Sequence, residues 1–407
     1  MSRLNTNGLS RALGSLDHNV RLVFIARSLS STGFSSTMPF IAIYLAEQRS
    51  VPLYLVGLMY LISGALGFFS LVVSGIVSDR FGAKRTIVIG YGLSLAGAAY
   101  MSVAVAAHLN VYVIILTYPF LTLLRGVSVP SSAAIISEGK GDVVNRFSAL
   151  TMASNLGFAV GPALGGVVAQ AFGYAPLFGF SAVLMAACIP LGLALTDKKL
   201  PEYKRQAGLK PPVYVTAFLA IVFLSFIVVG QDIQPFALYA GVFDSVSNSL
   251  IGLMFAFSGL LIVALQLVVN LVFRKWGAYA SLVSGSGVAA AGYYLLAASK
   301  AVPYLFLSMA VITLAEILVT VPTQVWIVAN SPPERRGAYQ GYYSAMRSGG
   351  RSVAAWLGST DLGLFSQNPA YAWYVIVGLA VAGGLAYLGH LRFFGSGNQK
   401  SLTPHWQ

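Results

Sequence analysis

Apolar stretches about twenty residues long recur down this chain with only short polar breaks between them. That recurrence limits what the chain can fold into more than any other feature of the sequence. Their centres fall near residues 33, 65, 96, 123, 158 and 184, and then near 225, 261, 289, 316, 347 and 381. About twenty apolar residues in a helix cross the hydrocarbon of a bilayer. Backbone groups find no water there, so each stretch must satisfy its own hydrogen bonds as a helix. The composition agrees. Only 9% of the 407 residues are charged and 57% are hydrophobic, with mean hydropathy +0.76. A soluble domain carries about 25% charged residues. A disordered chain, a secreted disulfide scaffold and an ordinary cytosolic enzyme are all excluded.

The polar segments organise the rest. Residues 1–18 are short and basic, without the apolar core of a signal peptide, and read as a cytoplasmic tail. Thr196–Pro212 holds five Lys/Arg and two acids and reads as a central cytoplasmic linker. It parts a first six-helix bundle, 19–195, from a second, 213–393, and residues 394–407 form a carboxy-terminal tail. With the amino terminus placed inside, 19 of the 25 Lys and Arg fall in inner segments, 2 in outer loops (Arg49, Lys300) and 4 in spans. That bias sets both termini in the cytoplasm. It also accounts for the net charge of +13 through anionic lipid rather than nucleic acid.

The two halves repeat. Arg146 follows span 4 and Arg336 follows span 10, 190 residues apart. The same offset takes Arg125 to within one residue of Glu316, Gly157 onto Arg347 and Gly161 onto Arg351. Ser78–Lys84, SDRFGAK, has a worn counterpart in Phe273–Tyr279, FRKWGAY, at an offset of 195. The expected fold is therefore an all-α membrane protein of twelve transmembrane helices in two pseudo-symmetric six-helix bundles. Parallel repeats of this kind place a substrate near the midplane between the halves.

Gly75-Ile-Val-Ser-Asp79-Arg80-Phe81-Gly82-Ala83-Lys84-Arg85 resembles, at every defined position, the loop signature of the major facilitator superfamily. It also lies where that signature belongs, between spans 2 and 3. Gly82 permits a tight turn. Asp79 sits among Arg80, Lys84 and Arg85, where a carboxylate accepts charge-assisted bonds. The group reads as a conformational latch or, alternatively, as a basic loop that only sets topology. Gly157-Phe-Ala-Val-Gly161-Pro162-Ala-Leu-Gly165-Gly166 resembles the signature of the family's antiporters, mostly drug exporters, with Ser148 in place of an earlier glycine. Such glycines also serve plain helix packing. Arg125-Gly126, with Pro130, loosely resembles a third signature whose basic residue is tied to proton transfer.

Charges inside spans are costly and usually functional. Glu316 lies at the centre of span 10, and Arg347 and Arg351 share a face of span 11, so Glu316 is expected either to exchange protons against these cations or to form a permanent pair with Arg347. Asp232, next to Gln231 in span 7, is read as a second proton site facing an outer vestibule, or as a solvated helix end. Arg125 and Gln231 are read as substrate contacts or charge partners, and Arg27 as a cavity residue or one that reaches back to the cytoplasm. Tyr44, Tyr239, Tyr342 and Tyr343 line an aromatic cavity or else belong to the lipid-facing bulk. Trp356 and Trp373 are expected in an interfacial belt, and the four histidines in tails or loop ends. Cys188 reads as a small buried residue. No metal site is expected, and no GxxxxGK[ST] loop is present for ATP.

The sequence thus leads to a secondary active transporter, not an enzyme, that works by alternating access and needs no cofactor beyond a proton gradient. The resemblance favours proton-coupled efflux of small amphipathic molecules. Import of a metabolite, anionic ones included, by symport or facilitation is the alternative, and a non-transporting sensor or lipid scramblase a remote one. The partners are a small-molecule substrate, protons and the lipids of the plasma membrane, with no nucleic acid. A monomer suffices.

Overall fold

The computed structural model describes residues 17–137, 143–196, 211–332 and 335–394. The two tails, most of the linker and the side chains of some helical positions, Gly75 and Asp79 among them, lie outside the described residues. The described chain is helical throughout. Its spans are His18–Ile43, Leu53–Phe81, Ala83–Ala106, Val111–Ser137, Val143–Phe172, Tyr174–Leu193, Val213–Phe243, the pair joined in Asn248–Ala298, Val302–Ala329, Arg336–Leu364 and Ala370–Phe394. We number them 1 to 12, with spans 8 and 9 parted at Gly277. Ten are long and apolar enough to cross a membrane on their own. Spans 1 and 11 fall outside that set, being rich in serine, glycine and arginine. A helix of that composition tolerates a bilayer when its polar face turns away from lipid.

The repeat is written in the backbone. Gly82 (φ 84°) and Gly277 (φ 79°), 195 residues apart, open spans 3 and 9 in a region where a side chain would be strained. Ser50 (φ 50°) and Ser245 (φ 53°), again 195 apart, turn the chain at the opposite ends of spans 1 and 7. Each serine follows a single π turn, Tyr44–Gln48 or Tyr239–Phe243. Each turn is then closed by the next N–H reaching back six residues, Val51 to the Leu45 carbonyl at 2.9 Å and Val246 to the Ala240 carbonyl at 2.8 Å.

The chain forms two compact units, Met1–Met38 with Leu66–Tyr203, and Pro39–Ala65 with Lys204–Gln407. In the first, spans 1 and 5 approach through glycine. A Cβ on Gly157 would sit 2.4 Å from Ser31 Cβ, one on Gly161 2.0 Å from Ser35 Oγ, and one on Gly165 2.1 Å from the Ser36 carbonyl. Ser35 donates to the Gly157 carbonyl at 2.9 Å, so the close approach also forms an interhelical bond. Asn19 clasps the end of span 6, its amide donating to the Thr196 carbonyl at 3.2 Å while its oxygen accepts from Thr196 N at 3.0 Å. Val23, Ile87, Tyr91, Ile135 and Cys188 pack into one core cluster. Cys188 is fully buried and donates to the Ala26 carbonyl at 3.4 Å.

The second unit has an aromatic core. Phe218 stacks on Trp326 with centroids 3.7 Å apart, and Tyr387 shares a 2.9 Å hydrogen bond with Ser225. His390, expected at a loop end, is instead buried in this core, 2.8 Å from both the Tyr279 hydroxyl and the Tyr214 carbonyl. Trp373 is likewise no belt residue. It is 1% exposed and stacks on Tyr293 at 5.7 Å, because span 12 turns that side chain inward. Span 11 meets span 7 through Gly350, whose Cβ would lie 2.7 Å from the Phe223 carbonyl, and Gly358, whose Cβ would lie 2.0 Å from Gln231 Oε1. Within the same unit Gly57 approaches the Trp356 backbone, again with 2.9 Å left for a Cβ.

Candidate functional site

Span 7 breaks where its charge lies. The α-helix Val213–Val229 tightens into a 3-10 turn, Gly230–Asp232, and Ile233 leaves helical geometry at φ −108°, ψ −82°. Helix resumes at Gln234 with Pro235 at its start. Proline has no N–H to continue the ladder, so the break leaves Asp232 at a free helix end. Gln231 is fully buried beside it. Its amide donates to the Ile227 carbonyl at 3.1 Å, and its Oε1 has no hydrogen-bond partner among the described residues.

Two further elements complete the site. Unbroken span 10 supplies Glu316, and span 11 supplies Arg351. Close approach is possible because Gly230 leaves its Cβ position 2.9 Å from Arg351 Cα. Arg351 donates from Nη2 to Glu316 Oε1 at 2.5 Å and from Nη1 to Asp232 Oδ1 at 3.3 Å. The side chains are 24% (Arg351), 16% (Glu316) and 13% (Asp232) exposed, so the cluster is largely but not wholly enclosed. Two ionised carboxylates around one guanidinium leave a charge of −1. One proton makes the group neutral. Tyr293, whose hydroxyl donates to the Val228 carbonyl at 2.8 Å, helps hold this part of span 7.

The pairing differs from the sequence expectation in two ways. Arg347 does not take Glu316. It lies over the Phe226 ring, 5.6 Å from the centroid, while Arg351, one turn further along the same helix, reaches both acids. Asp232, read as a second and separate proton site, is brought by the break in span 7 to the same arginine as Glu316. The tyrosines read as cavity candidates are mostly engaged inside the fold. Tyr44 accepts from Arg49 at 2.9 Å, Tyr239 donates to the Leu296 carbonyl at 3.3 Å, and Tyr343 to the Thr320 carbonyl at 3.3 Å. Tyr342 packs against the aromatic core.

The first unit carries Arg27 and Arg125. Arg27 donates from Nε to Ser154 at 2.8 Å. Arg125 lies 3.7 Å over the Phe34 ring, just before span 4 changes from Val111–Gly126 to Ser128–Ser137. Ser70 and Ser74 of span 2 donate to the Leu123 and Val127 carbonyls and fix that break. Of the latch group, Arg80 and Arg85 are exposed, Lys84 and Gly82 half-buried, and Arg80 sits 5.6 Å from the Phe81 ring centroid. The side chains of Gly75 and Asp79 fall outside the described residues, so the latch contact itself is not described. Gly157, Gly161 and Gly165 face span 1, and Pro162 and Gly166 are buried on the same helix.

Sequence reasoning missed Asp361, near the end of span 11. It is 8% exposed, and its Oδ2 has no hydrogen-bond partner among the described residues. An acid so near a helix end reads as solvated, and no local signal separates the two cases. Also missed was a cavity of about 720 Å³ in the second unit, at the Ser50 corner, lined by Val51, Pro52, Val242, Phe243, Trp356 and Thr360 among others. None of the charged span residues lines it.

A model of the Major Facilitator Superfamily matches residues 23–355, and the chain belongs to that superfamily. It is an integral, multi-pass membrane protein whose relatives are named as transporters. It is 26% identical over 361 residues to the MFS-type transporter YttB of Bacillus subtilis, covering 83% of this chain and 87% of that one. It is 25% identical over 197 residues to the multidrug resistance protein MdtG of Proteus mirabilis, covering 46% of this chain and 48% of that one. Among solved structures, the nucleoside transporter NupG superposes with a TM-score of 0.73 at 16% identity, covering 92% of this chain and 99% of that one. A POT family transporter in complex with 5-aminolevulinic acid also gives 0.73, at 13% identity, over 93% and 96%. These two likenesses concern the fold alone.

Proposed function

We propose that the protein is a proton-coupled exporter of small amphipathic organic molecules, working by alternating access in the cytoplasmic membrane with both termini inside. The observation that carries the reading is Arg351 held between Glu316 and Asp232 at the break in span 7. A proton entering from outside adds to the cluster, takes its charge from −1 to 0 and weakens one of the two bonds that tie span 11 to its neighbours. Losing the proton to the inside restores them. Each proton thus shifts the balance between two packings of the second unit, which is the differential interaction that a coupled transporter needs. At the basic end, Asp79 with Arg80, Lys84 and Arg85 acts as the latch that closes and opens in opposition. The proton gradient is the only energy source, and one chain carries the full site.

Export rather than import is supported by the antiporter-like glycine run Gly157–Gly166 and by the likeness to a multidrug resistance protein. Import of a metabolite is the second reading, which the same fold serves as well. Reconstituted protein in vesicles of known orientation decides between them. The expected result is solute-driven proton movement in the antiport direction, with Glu316→Gln losing uphill transport while passive solute exchange persists. Uphill transport at wild-type rate in that variant overturns the coupling role, and symport overturns the direction.

A further inference from the structure

The charge inside the spans is unevenly shared between the two units. In the second unit Asp232 and Glu316 both lie against Arg351, and Asp361 adds a further buried carboxylate to span 11. In the first, Arg27 and Arg125 have no such match, since Asp79, at the basic end of span 2, is the one carboxylate in its spans. No described carboxylate lies within ion-pair distance of Arg125, and Asp232 and Glu316 are taken by Arg351. Arg27 adds a second positive charge to the field at Arg125. An enclosed cation beside another cation is costly unless an anion joins it.

The surroundings of Arg125 suit such an anion. The Phe34 ring attracts one face of the guanidinium, and Nε is buried without a hydrogen-bond partner among the described residues. Beside it is a cavity of about 40 Å³ that Thr122 and Ser181 also line. Among the described residues neither of these hydroxyls has a partner, so both remain available to donate. The volume is that of one or two waters. It admits a compact head group and no ring. The break in span 4, fixed by Ser74 at 2.5 Å from the Val127 carbonyl, sets the arginine in place before any ligand arrives. Planar guanidinium groups match carboxylates and phosphonates through paired bonds.

We propose that the Arg125 cavity receives the anionic head, a carboxylate or phosphonate, of the molecule that this protein carries. The inference rests on the transport reading and narrows its substrates to amphipathic anions and zwitterions. The test measures unfolding midpoints of the full chain in nanodiscs against octanoate, 1-naphthoate and phenylphosphonate, with octanamide and 1-naphthamide as neutral isosteres. At least one anion is expected to raise the wild-type midpoint saturably, at least tenfold more tightly than its amide, and at least tenfold more weakly in Arg125→Gln. Arg125→Lys, which keeps the charge and loses the fork, gives the same comparison if Arg125→Gln does not fold. No stabilising anion, equal binding of acid and amide, or unchanged binding in both variants overturns the proposal. Anion binding through Arg125 without any solute-driven proton movement would remove the transport reading and leave this site standing. Proton-coupled flux of solutes indifferent to Arg125 would do the reverse.

Discussion

Replacing Arg351 by glutamine tests the charge logic of the second unit most directly. The change removes the one cation that Glu316 and Asp232 share, at 2.5 and 3.3 Å, and leaves two carboxylates in an enclosed site. Breaking a buried pair from one side costs about 3–5 kcal/mol. Because the three side chains keep 13–24% exposure, water recovers part of that, and about 2–4 kcal/mol is the expected loss at pH 8. Glu316→Gln should behave differently. It forfeits a charge-assisted bond of about 1.5–3 kcal/mol but also brings the cluster from −1 to 0, so its net effect should stay within about 1 kcal/mol. Arg351→Gln combined with Glu316→Gln removes one of the stranded carboxylates and should recover about half of the single-variant loss, a coupling that a double-mutant cycle reads directly. Equilibrium unfolding in mixed micelles, followed by the fluorescence of buried Trp326 and Trp373, measures each value. If Arg351→Gln is as stable as wild type at pH 8, or Glu316→Gln is as damaging as Arg351→Gln, the charge-sharing argument is wrong.

Two other outcomes follow from local geometry, and a third tests the latch reading. Asp244, in the turn after span 7, has a side chain 1% exposed with Lys300 3.5 Å away, and burial pushes its carboxyl up to about 6 from the ordinary 3.8 despite that lysine. A raised folded value favours the protonated form, so its stabilising contribution is complete below pH 3.8 and is lost as pH rises through 6. Asp244→Asn should therefore raise stability by about 1–3 kcal/mol at pH 8 and by little at pH 4, and an equal gain at both would refute the burial argument. Gly165→Ala, whose Cβ would lie 2.1 Å from the Ser36 carbonyl, should destabilise by about 2 kcal/mol or more, whereas Gly287→Ala, with nothing within 4 Å, should be neutral or gain about 0.5–1 kcal/mol. Asp79→Asn should slow the transport cycle with little change in substrate affinity, and a change in affinity alone would reject its latch role.

The spans and the repeat were legible because both rest on periodic composition. The predicted centres lie inside the observed helices, and the 195-residue offset between SDRFGAK and FRKWGAY reappears in the matching torsions of Gly82 and Gly277. The acids and arginines were legible too, since a charge in an apolar run stands out. Their pairing was not. Arg347 and Arg351 share a helical face at the same cost in sequence terms, and only the break around Gly230–Ile233 decides which of them meets Asp232 and Glu316. Trp373 and His390 misled because residues at similar depth near a helix end go to lipid or core according to helix rotation, which spacing in one span does not fix. Asp361 escaped notice for the same reason.

The twin serine turns carry a consequence for how such a chain arose and how its kin are compared. Ser50 and Ser245 hold the same uncommon torsion although Arg49 beside one faces Asp244 beside the other in the alignment of halves, an exchange of sign. The bend is thus kept in both halves whatever the charge of the residue before it. Ancestral duplication in related chains is therefore better sought by superposing left-handed corners than by matching residues.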